Sequence, residues 1–473
     1  MRNSVLRSIA LTALLMIGDI LGVFFCFAAA FLFRSWTEYP TPLLHEIDTY
    51  SRVWPLIFLW PITFALAGLY PGYWLNASRR LQKIVISSTS AALLFMSFTF
   101  LTKTGEEFSR LIFTGTWLFS LVVLPMLRNG LRVMLGRAGF HGPELVMLGG
   151  GRTAELVLSH LNDLAIPPVK TVAIFDDDPD KIGTELYGIP IVGPVSDAAA
   201  WARKNHLRQI LISIPGLPGN KIIPIVESLS QTFFRVLLIP DLFGISSHDT
   251  DSREIGDMLA LDVKRNLLLR RSRLAKRALD LLFSLGFGIL VFPIFLLSSL
   301  LVLIESGFPI FYFQQRLGLH GKPFRMIKFR TMVSNADQVL EDEIMRNTAL
   351  QIEWKENQKL KVDPRLTRVG RLLRRFSLDE LPQLWNIIRG EMSLIGPRPI
   401  IEEEIERYGE RIELYYQVRP GLTGLWQVSG RSALSYEERM RLDMYYVRNW
   451  SIWLDLVILF RTIGAVLSGR GAY

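Results

Sequence analysis

The chain has 473 residues, half of them hydrophobic, with a mean hydropathy of +0.27 and a formal net charge of +9. That is too apolar for an ordinary soluble enzyme and long enough for two or three domains. A single cysteine, Cys26, excludes an intrachain disulfide and a cysteine-based metal site, and the six histidines lack zinc-ligand spacing. Positive charge on so apolar a chain points to anionic lipid or phosphorylated substrates, and no nucleic-acid-binding motif accompanies it.

Four apolar runs come first, at about 8–33, 53–70, 84–102 and 112–128. Each approaches the roughly 20 helical residues that cross a bilayer. The first is too long for a signal peptide and has no clear cleavage site, so it reads as a span. Arg2 and Arg7 precede it, Arg79, Arg80 and Lys83 lie between the second and third runs, and Arg128, Arg132 and Arg137 follow the fourth. The other two loops are mixed in sign. The positive-inside rule then places the N-terminus and everything after the fourth run in the cytoplasm. Asp19, inside the first run, reads as a helix-packing contact. Residues 1–137 are thus predicted to be a four-helix transmembrane bundle.

Residues 138–262 read as a Rossmann-like α/β domain. A short apolar strand at 144–148 runs into Gly149-x-Gly151-x-x-Ala154 and a helical pattern. A second strand, Thr171–Phe175, ends at Asp176-Asp177-Asp178, and further strand-like runs occur at 189–192, 209–214 and 235–239. Strands alternating with helices imply a parallel sheet. Gly149, Gly151 and Asp176 match the dinucleotide fingerprint and are the candidate cofactor-binding residues. No tyrosine is followed four residues later by lysine, so the domain has no visible catalytic pair and reads as one that has lost its ligand or keeps it for regulation. Residues 246–275, charged and turn-rich, read as a linker.

A fifth apolar segment, 276–305, opens with Lys276-Arg277 and contains Pro293. Basic residues flank both of its ends, whereas a span shows asymmetry. A re-entrant helix-break-helix, entering and leaving on the cytoplasmic face, is therefore predicted, with the break at Pro293 covered by protein.

Residues 263–473 carry the densest chemistry. Phe324–Ser334 interleaves apolar and basic residues, Lys328 and Arg330 among them, and a polar helical stretch at about 335–359 follows. Asp363-Pro364-Arg365-Leu366-Thr367 leads to Arg371, Arg374 and Arg375. Then come the adjacent acids Asp379-Glu380, Pro382, and Pro397-Arg398-Pro399, whose two prolines stiffen the backbone around the arginine. Pro382 suits only the first turn of a helix, which makes Asp379 the expected N-cap and puts a helix dipole where phosphate would sit. The final segment, 450–468, is apolar but holds Asp455 and Arg461. It reads as an amphipathic interfacial helix with Trp450 and Trp453 at headgroup level.

Lys328-Phe329-Arg330-Thr331-Met332, Ser377-Leu378-Asp379-Glu380-Leu381-Pro382-Gln383, Pro397-Arg398-Pro399 and Gly424-Leu425-Trp426-Gln427-Val428-Ser429-Gly430-Arg431 resemble the bacterial sugar transferase family, the polyprenyl-phosphate hexose-1-phosphate transferases with one re-entrant membrane helix. The whole length, down to the terminal Gly471-Ala472-Tyr473, is similar to the undecaprenyl-phosphate galactose phosphotransferases within it. The family often has Ser-Pro at the break, whereas Phe292 precedes Pro293 here.

The resemblance implies that UDP-sugar and undecaprenyl phosphate give undecaprenyl-diphosphate-sugar and UMP, with galactose ahead of glucose. It makes Asp379 the nucleophile and Glu380 the ligand of Mg2+, and assigns uridine contact to Arg398 between Pro397 and Pro399. Lys328, Arg330, Arg371, Arg374 and Arg375 become candidates for substrate phosphate, against a plain attraction to anionic lipid. The expected setting is the cytoplasmic face of a bacterial inner membrane, with membrane lipid as a partner and a possible homodimer. Two other functions stay open: a membrane-tethered NAD-dependent nucleotide-sugar epimerase or dehydratase using the middle domain, and a non-enzymatic polysaccharide-export scaffold.

Overall fold

The computed structural model describes residues 2–37, 54–103, 109–239, 250–333, 335–346, 363–430 and 434–467, apart from positions 163, 165, 215, 217, 218, 231, 256, 257, 264–266 and 268. Gly471-Ala472-Tyr473, Arg431 and most of the polar stretch after residue 346 lie outside them. The chain divides into two compact units, Met1–Phe243 and Gly244–Tyr473.

In the first unit, α1 (Arg2–Thr37) is apolar on nearly every side. Ile9, Ile17, Leu21 and Phe25 face outward, while Leu11, Leu15, Val23 and Cys26 are buried. It packs on α4 (Arg110–Arg137) at very short range: a Cβ on Gly18 would lie 2.3 Å from Leu131 Cδ1, and one on Gly22 2.7 Å from Leu124 Cδ2. Asp19 meets Arg128 Nε at 2.8 Å with both side chains buried, and Tyr70 donates its hydroxyl to the other carboxylate oxygen. Asp19 is therefore the packing contact that its sequence position suggests. Arg132 donates to Pro71 O at 3.0 Å. Two of the three arginines counted as a flanking charge cluster are thus buried partners instead.

Among the described residues, four helices are long and apolar enough to cross a membrane: Leu6–Thr37, Ala77–Leu101, Arg110–Arg137 and Arg270–Ser306. The second predicted run is not among them. It forms only Trp54–Leu66, ending in α2 (Leu59–Leu66). At 1.5 Å per residue that is about 20 Å, short of a ~30 Å hydrocarbon core. Gly68, at φ +70°, turns the chain at its end, and Lys83 of α3 (Ala77–Leu101) caps it by donating to Ala67 O at 2.6 Å.

The rest of this unit is the expected parallel sheet. Strands β1 (Glu144–Leu148), β2 (Lys170–Phe175), β3 (Glu185–Leu186), β4 (Ile189–Gly193), β5 (Gln209–Ile212) and β6 (Arg235–Leu238) order as β3-β4-β2-β1-β5-β6, with β3 alone antiparallel. Helices α5 (Arg152–Asn162), α6 (Ala198–Lys204) and α7 (Gly219–Ser230) make the crossovers. The near-continuous burial of β1 and β5 is what a sheet covered on both faces requires.

In the second unit, the stretch read as a linker contains an antiparallel hairpin, β7 (Thr250–Ile255) with β8 (Met258–Val263). The apolar run Met258-Leu259-Ala260-Leu261 is short and lies among charged residues, which hides a strand in composition. Next, α8 (Arg270–Ser306) runs 37 residues without interruption, with Pro293 inside it. The expected non-helical break is absent: the proline removes one N–H from the ladder, which bends a helix without ending it.

Both ends of α8 are fastened to the same domain. Near its start, Arg277 donates to Ile387 O and Ile388 O at 2.5 and 2.8 Å, and Asp280 accepts from Leu394 N at 3.0 Å. At its end, Glu305 accepts from Arg368 N and Val369 N at 2.8 Å each, and Arg330 donates to the carbonyls of Ser306, Gly307 and Phe308. Between these points Val291 and Val302 join the core formed by Phe329, Leu373, Leu384, Ile387 and Ile395.

The hairpin β9 (Phe311–Leu317)–β10 (Pro323–Phe329) follows, then α9 (Ala336–Arg346), α10 (Arg368–Arg375), α11 (Gln383–Arg389), the parallel pair β11 (Ser393–Ile395)–β12 (Gly421–Thr423), α12 (Tyr436–Arg448) and α13 (Ile452–Leu467). Trp450 is buried and donates to Asp455 Oδ2 at 3.0 Å, so it is a core residue and not a headgroup anchor.

Candidate active site

The acids of the Asp379-Glu380 pair do not sit where the sequence suggests. Thr367 caps α10 by accepting from Gly370 N at 2.9 Å, and the helix ends where Ser377 adopts φ +55°. The chain then makes a 3₁₀ turn, Leu378–Glu380, and α11 begins only at Gln383 with Pro382 before it. Asp379 is thus inside a tight turn and caps no helix. The left-handed Ser377 is what moves the helix start downstream, and α11, two turns long, supplies little dipole at Asp379.

This turn is held against β10 by Asn386, which is fully buried. Its Oδ1 accepts from Ile327 N at 3.1 Å, and its Nδ2 donates to Arg325 O at 2.8 Å and Glu391 Oε2 at 2.6 Å. Strand alternation then puts Lys328 and Arg330 on one face. Lys328 Nζ meets Glu380 Oε1 at 2.7 Å. Arg330 is spent on the end of α8, so β10 carries a site lysine and a membrane-helix cap two residues apart.

Asp379 is buried and accepts no hydrogen bond from another side chain among the described residues. Burial raises its carboxyl above the usual range, the neighbouring Glu380 raises it further, and Lys328 and Arg374 pull it back. Arg374 is the inward arginine of α10, donating from Nε to Thr331 Oγ1 at 3.0 Å. Behind it, Asp363 grips Arg365 through two contacts of 2.8 Å. Arg371 and Arg375 are exposed, the latter lying 5.7 Å from the Phe376 ring centre. Of the five basic candidates, Lys328 and Arg374 reach the acids.

Pro397-Arg398-Pro399 forms a second cluster. Arg398 N donates to Asp443 Oδ2 at 3.2 Å, Pro397 O accepts from Gly421 N at 2.8 Å, and Pro399 O accepts from Arg316 Nη1 at 3.3 Å. The Arg398 side chain lines a pocket with Trp426, Tyr436, Arg439 and Asp443. Burial pushes the Asp443 carboxyl up to about 8, against the pull of Arg398. The roles of Asn386, Arg330 and Asp443 depend on partners between 22 and 61 residues away, which no local pattern displays.

In the other unit, Gly149 has φ +87°, and a Cβ there would lie 2.6 Å from Ile214 Cγ1. Asp176 comes to this turn: its Oδ2 accepts from Gly150 N at 2.6 Å and its Oδ1 from Asp178 N at 2.9 Å. Burial raises Asp176, but these bonds and Lys181 outweigh it and hold the carboxyl below its ordinary value. Gly151 faces open space.

Among the described residues no group of three or more His, Cys, Asp or Glu is gathered for a metal ion. A cation at this site would rest on the Asp379-Glu380 pair and on substrate oxygens, a donor set that suits magnesium.

A chain with helices long and apolar enough to cross a membrane, paired acids and an inward lysine and arginine is suited to phosphoryl transfer. Residues 271–469 match the bacterial sugar transferase family profile, and residues 65–240 match a CoA-binding domain profile. The chain is 38% identical over 370 residues to the UDP-galactose-lipid carrier transferase of Erwinia amylovora, covering 78% of this chain and 77% of that one. It is 35% identical over 373 residues to the undecaprenyl-phosphate galactose phosphotransferase of Salmonella typhimurium, covering 78% of each. Against the UDP-glucose:undecaprenyl-phosphate glucose-1-phosphate transferase of Xanthomonas campestris it is 29% identical over 433 residues, 87% of this chain and 85% of that one. The chain belongs to the bacterial sugar transferase family, and it is a sugar-1-phosphate transferase.

Proposed function

We propose that the chain transfers a hexose 1-phosphate from a UDP-sugar to undecaprenyl phosphate and releases UMP. It does so at the cytoplasmic face of a bacterial inner membrane, as the first membrane step of O-antigen, capsule or exopolysaccharide synthesis. The observation that carries the proposal is Asp379, buried and open to attack a phosphorus, between the Glu380–Lys328 pair and Arg374. A carboxylate oxygen of Asp379 bonds to the sugar-bearing phosphorus while the bond to the bridging diphosphate oxygen breaks, and UMP leaves with that oxygen. An oxygen of the lipid phosphate then attacks the same phosphorus, and the aspartyl P–O bond breaks to return the carboxylate. Lys328 and Arg374 favour the ionised form that attacks, and hold charge near the phosphoryl oxygens. Mg2+ held by Glu380 would neutralise diphosphate charge.

Galactose is the proposed sugar ahead of glucose, following the names of the Erwinia amylovora and Salmonella typhimurium relatives. In this reading α8 enters and leaves on one face. The fastening of both its ends to one domain supports that, because residues 277–280 and 305–306 then share a compartment with residues 368–394. The middle domain takes no part in the transfer, and a homodimer is the proposed assembly.

The test is UMP release from a panel of UDP-sugars by purified protein, with and without undecaprenyl phosphate. A phosphosugar adduct on Asp379, located by mass spectrometry, is expected. Turnover that ignores the lipid, or an adduct elsewhere, would sink the proposal. Labelling of cysteines placed within 310–330 from outside the cell would sink the re-entrant topology.

A further inference from the structure

The two faces of the β9–β10 hairpin have different surroundings. Strand alternation puts Phe311 and Phe313 of β9 on one face with Ile327 and Phe329 of β10. That face meets α8: the Phe311 and Phe329 ring centres lie 6.2 and 5.2 Å from that of Phe295, and 5.6 Å from each other. The other face carries Tyr312, Gln314 and Arg316, with Lys328 directly opposite Tyr312. Arg316 is spent on Pro399 O and Gln314 Oε1, at 3.3 and 2.9 Å, and Lys328 on Glu380. Tyr312 stands at the acid end of this face with its ring 54% exposed. Among the described residues its hydroxyl makes no hydrogen bond and its ring joins no aromatic pair. Bilayer anchoring would fall to the opposite face, where Phe313 is as exposed and shares the side of α8.

Residues opposed across an antiparallel pair have Cβ atoms about 4.5–5.5 Å apart, so the Tyr312 ring flanks Lys328 and the pair that Lys328 makes with Glu380. The sugar-bearing phosphorus has to come to Asp379, next to that pair, and the hexose follows one bridging oxygen further on. A pyranose carries a patch of C–H groups among its hydroxyls. An exposed phenol ring offers the flat apolar surface that such a patch covers, with water released from both. We propose that Tyr312 is the platform for the hexose of the donor, with its ring face against the C–H face of the sugar. The inference rests on the proposed use of a UDP-sugar and adds what receives the sugar. It has two consequences: the contact belongs to the ring and not to the hydroxyl, and UMP, which has no hexose, does not make it.

The experiment measures KM for the UDP-sugar, kcat and inhibition by UMP in the purified wild type, Tyr312→Ala, Tyr312→Phe and Phe313→Ala, with undecaprenyl phosphate saturating. Tyr312→Ala should raise KM by about 5- to 30-fold, keep kcat within a few-fold and change the inhibition constant of UMP less than twofold. Tyr312→Phe and Phe313→Ala should both stay within about twofold of the wild type in KM. An unchanged KM in Tyr312→Ala overturns the assignment, and so does an equal loss of UMP and UDP-sugar affinity. A loss in Tyr312→Phe as large as in Tyr312→Ala would give the role to the hydroxyl, and one as large in Phe313→Ala would mean only a loosened hairpin; either overturns the platform. Normal kinetics in detergent with weakened binding of Tyr312→Ala to lipid vesicles would make the ring a bilayer anchor instead. Should Tyr312→Ala fail to fold, Tyr312→Leu, which keeps an apolar side chain without the ring, decides by the same comparison of UDP-sugar with UMP. A wild type that releases no UMP from any UDP-sugar overturns the underlying function and not this contact alone.

Discussion

Two buried aspartates in the second unit, Asp379 and Asp455, face opposite fates. Asp455 is saturated: Tyr446 Oη meets its Oδ1 at 2.8 Å, while Trp450 Nε1 and Lys276 Nζ meet its Oδ2 at 3.0 and 2.9 Å. Lys276 also reaches Asp280 Oδ1 at 3.1 Å, and Asp280 in turn accepts from Ser393 Oγ. All four carboxylate oxygens there have partners, which hold α8, β11 and α13 together. Asp379 has no such side-chain partner among the described residues, only its own backbone N–H and the field of Lys328 and Arg374. Satisfied burial makes an inert strut, whereas burial with open lone pairs makes a reactive group.

The contrast breaks most sharply at Asp379. Asp379→Asn should cut UMP release by about 10³-fold or more while leaving thermal unfolding almost unmoved. The mirror-image change is Lys276→Met, which strands Asp280 and Asp455 without a cation. It should destabilise the protein by about 3–5 kcal/mol, read as a large fall in Tm. A normal Tm in Lys276→Met would mean that the second cluster is not the strut described.

A subtler change sharpens the comparison through pH. The carboxyl of Asp379 already lies above the ordinary range, and Lys328 is the first of the groups drawing it down, ahead of Arg374 and the backbone N–H of Asp379 itself. Lys328→Met removes that pull, so the acid limb of the kcat profile should move to higher pH, with kcat at neutral pH lower by about 10- to 100-fold. An acid limb that stays in place would separate Lys328 from Asp379, the proposed nucleophile. The smallest effects belong to Arg371→Ala and Arg375→Ala. Both side chains are exposed, so each should weaken binding to anionic vesicles by roughly 1 kcal/mol and change kcat less than threefold.

The sequence displayed what is written in contiguous residues. The acid pair, the glycine turn at Gly149 and the strand segments of the parallel sheet are each visible in neighbours a few positions apart. It misled where one backbone angle decides the outcome: Ser377 in the left-handed region shifts the helix start past Asp379. It was silent where partners come from far along the chain. Nothing near Arg330 marks it as the cap of α8, and nothing near Lys328 says that it faces Glu380, 52 positions later. Hydropathy also overcounted at 53–70, because apolar composition persists through a turn at Gly68 that ends the helix.

The fasteners of α8 have an order in time. Apart from Arg330, the fasteners named above, Arg368, Ile387, Ile388, Leu394 and Asp455, all lie well C-terminal to the helix they hold, and a ribosome delivers the end of the apolar segment about 60 residues before Arg368, the first of these five. Until they arrive, the insertion machinery meets an unrestrained apolar helix with basic residues at both ends. A chain truncated near residue 345 should therefore lose the proposed one-sided arrangement and leave part of its α8 population threaded through the bilayer. Glycosylation or cysteine labelling at about residue 320 would report it, and full-length chains should protect the same position.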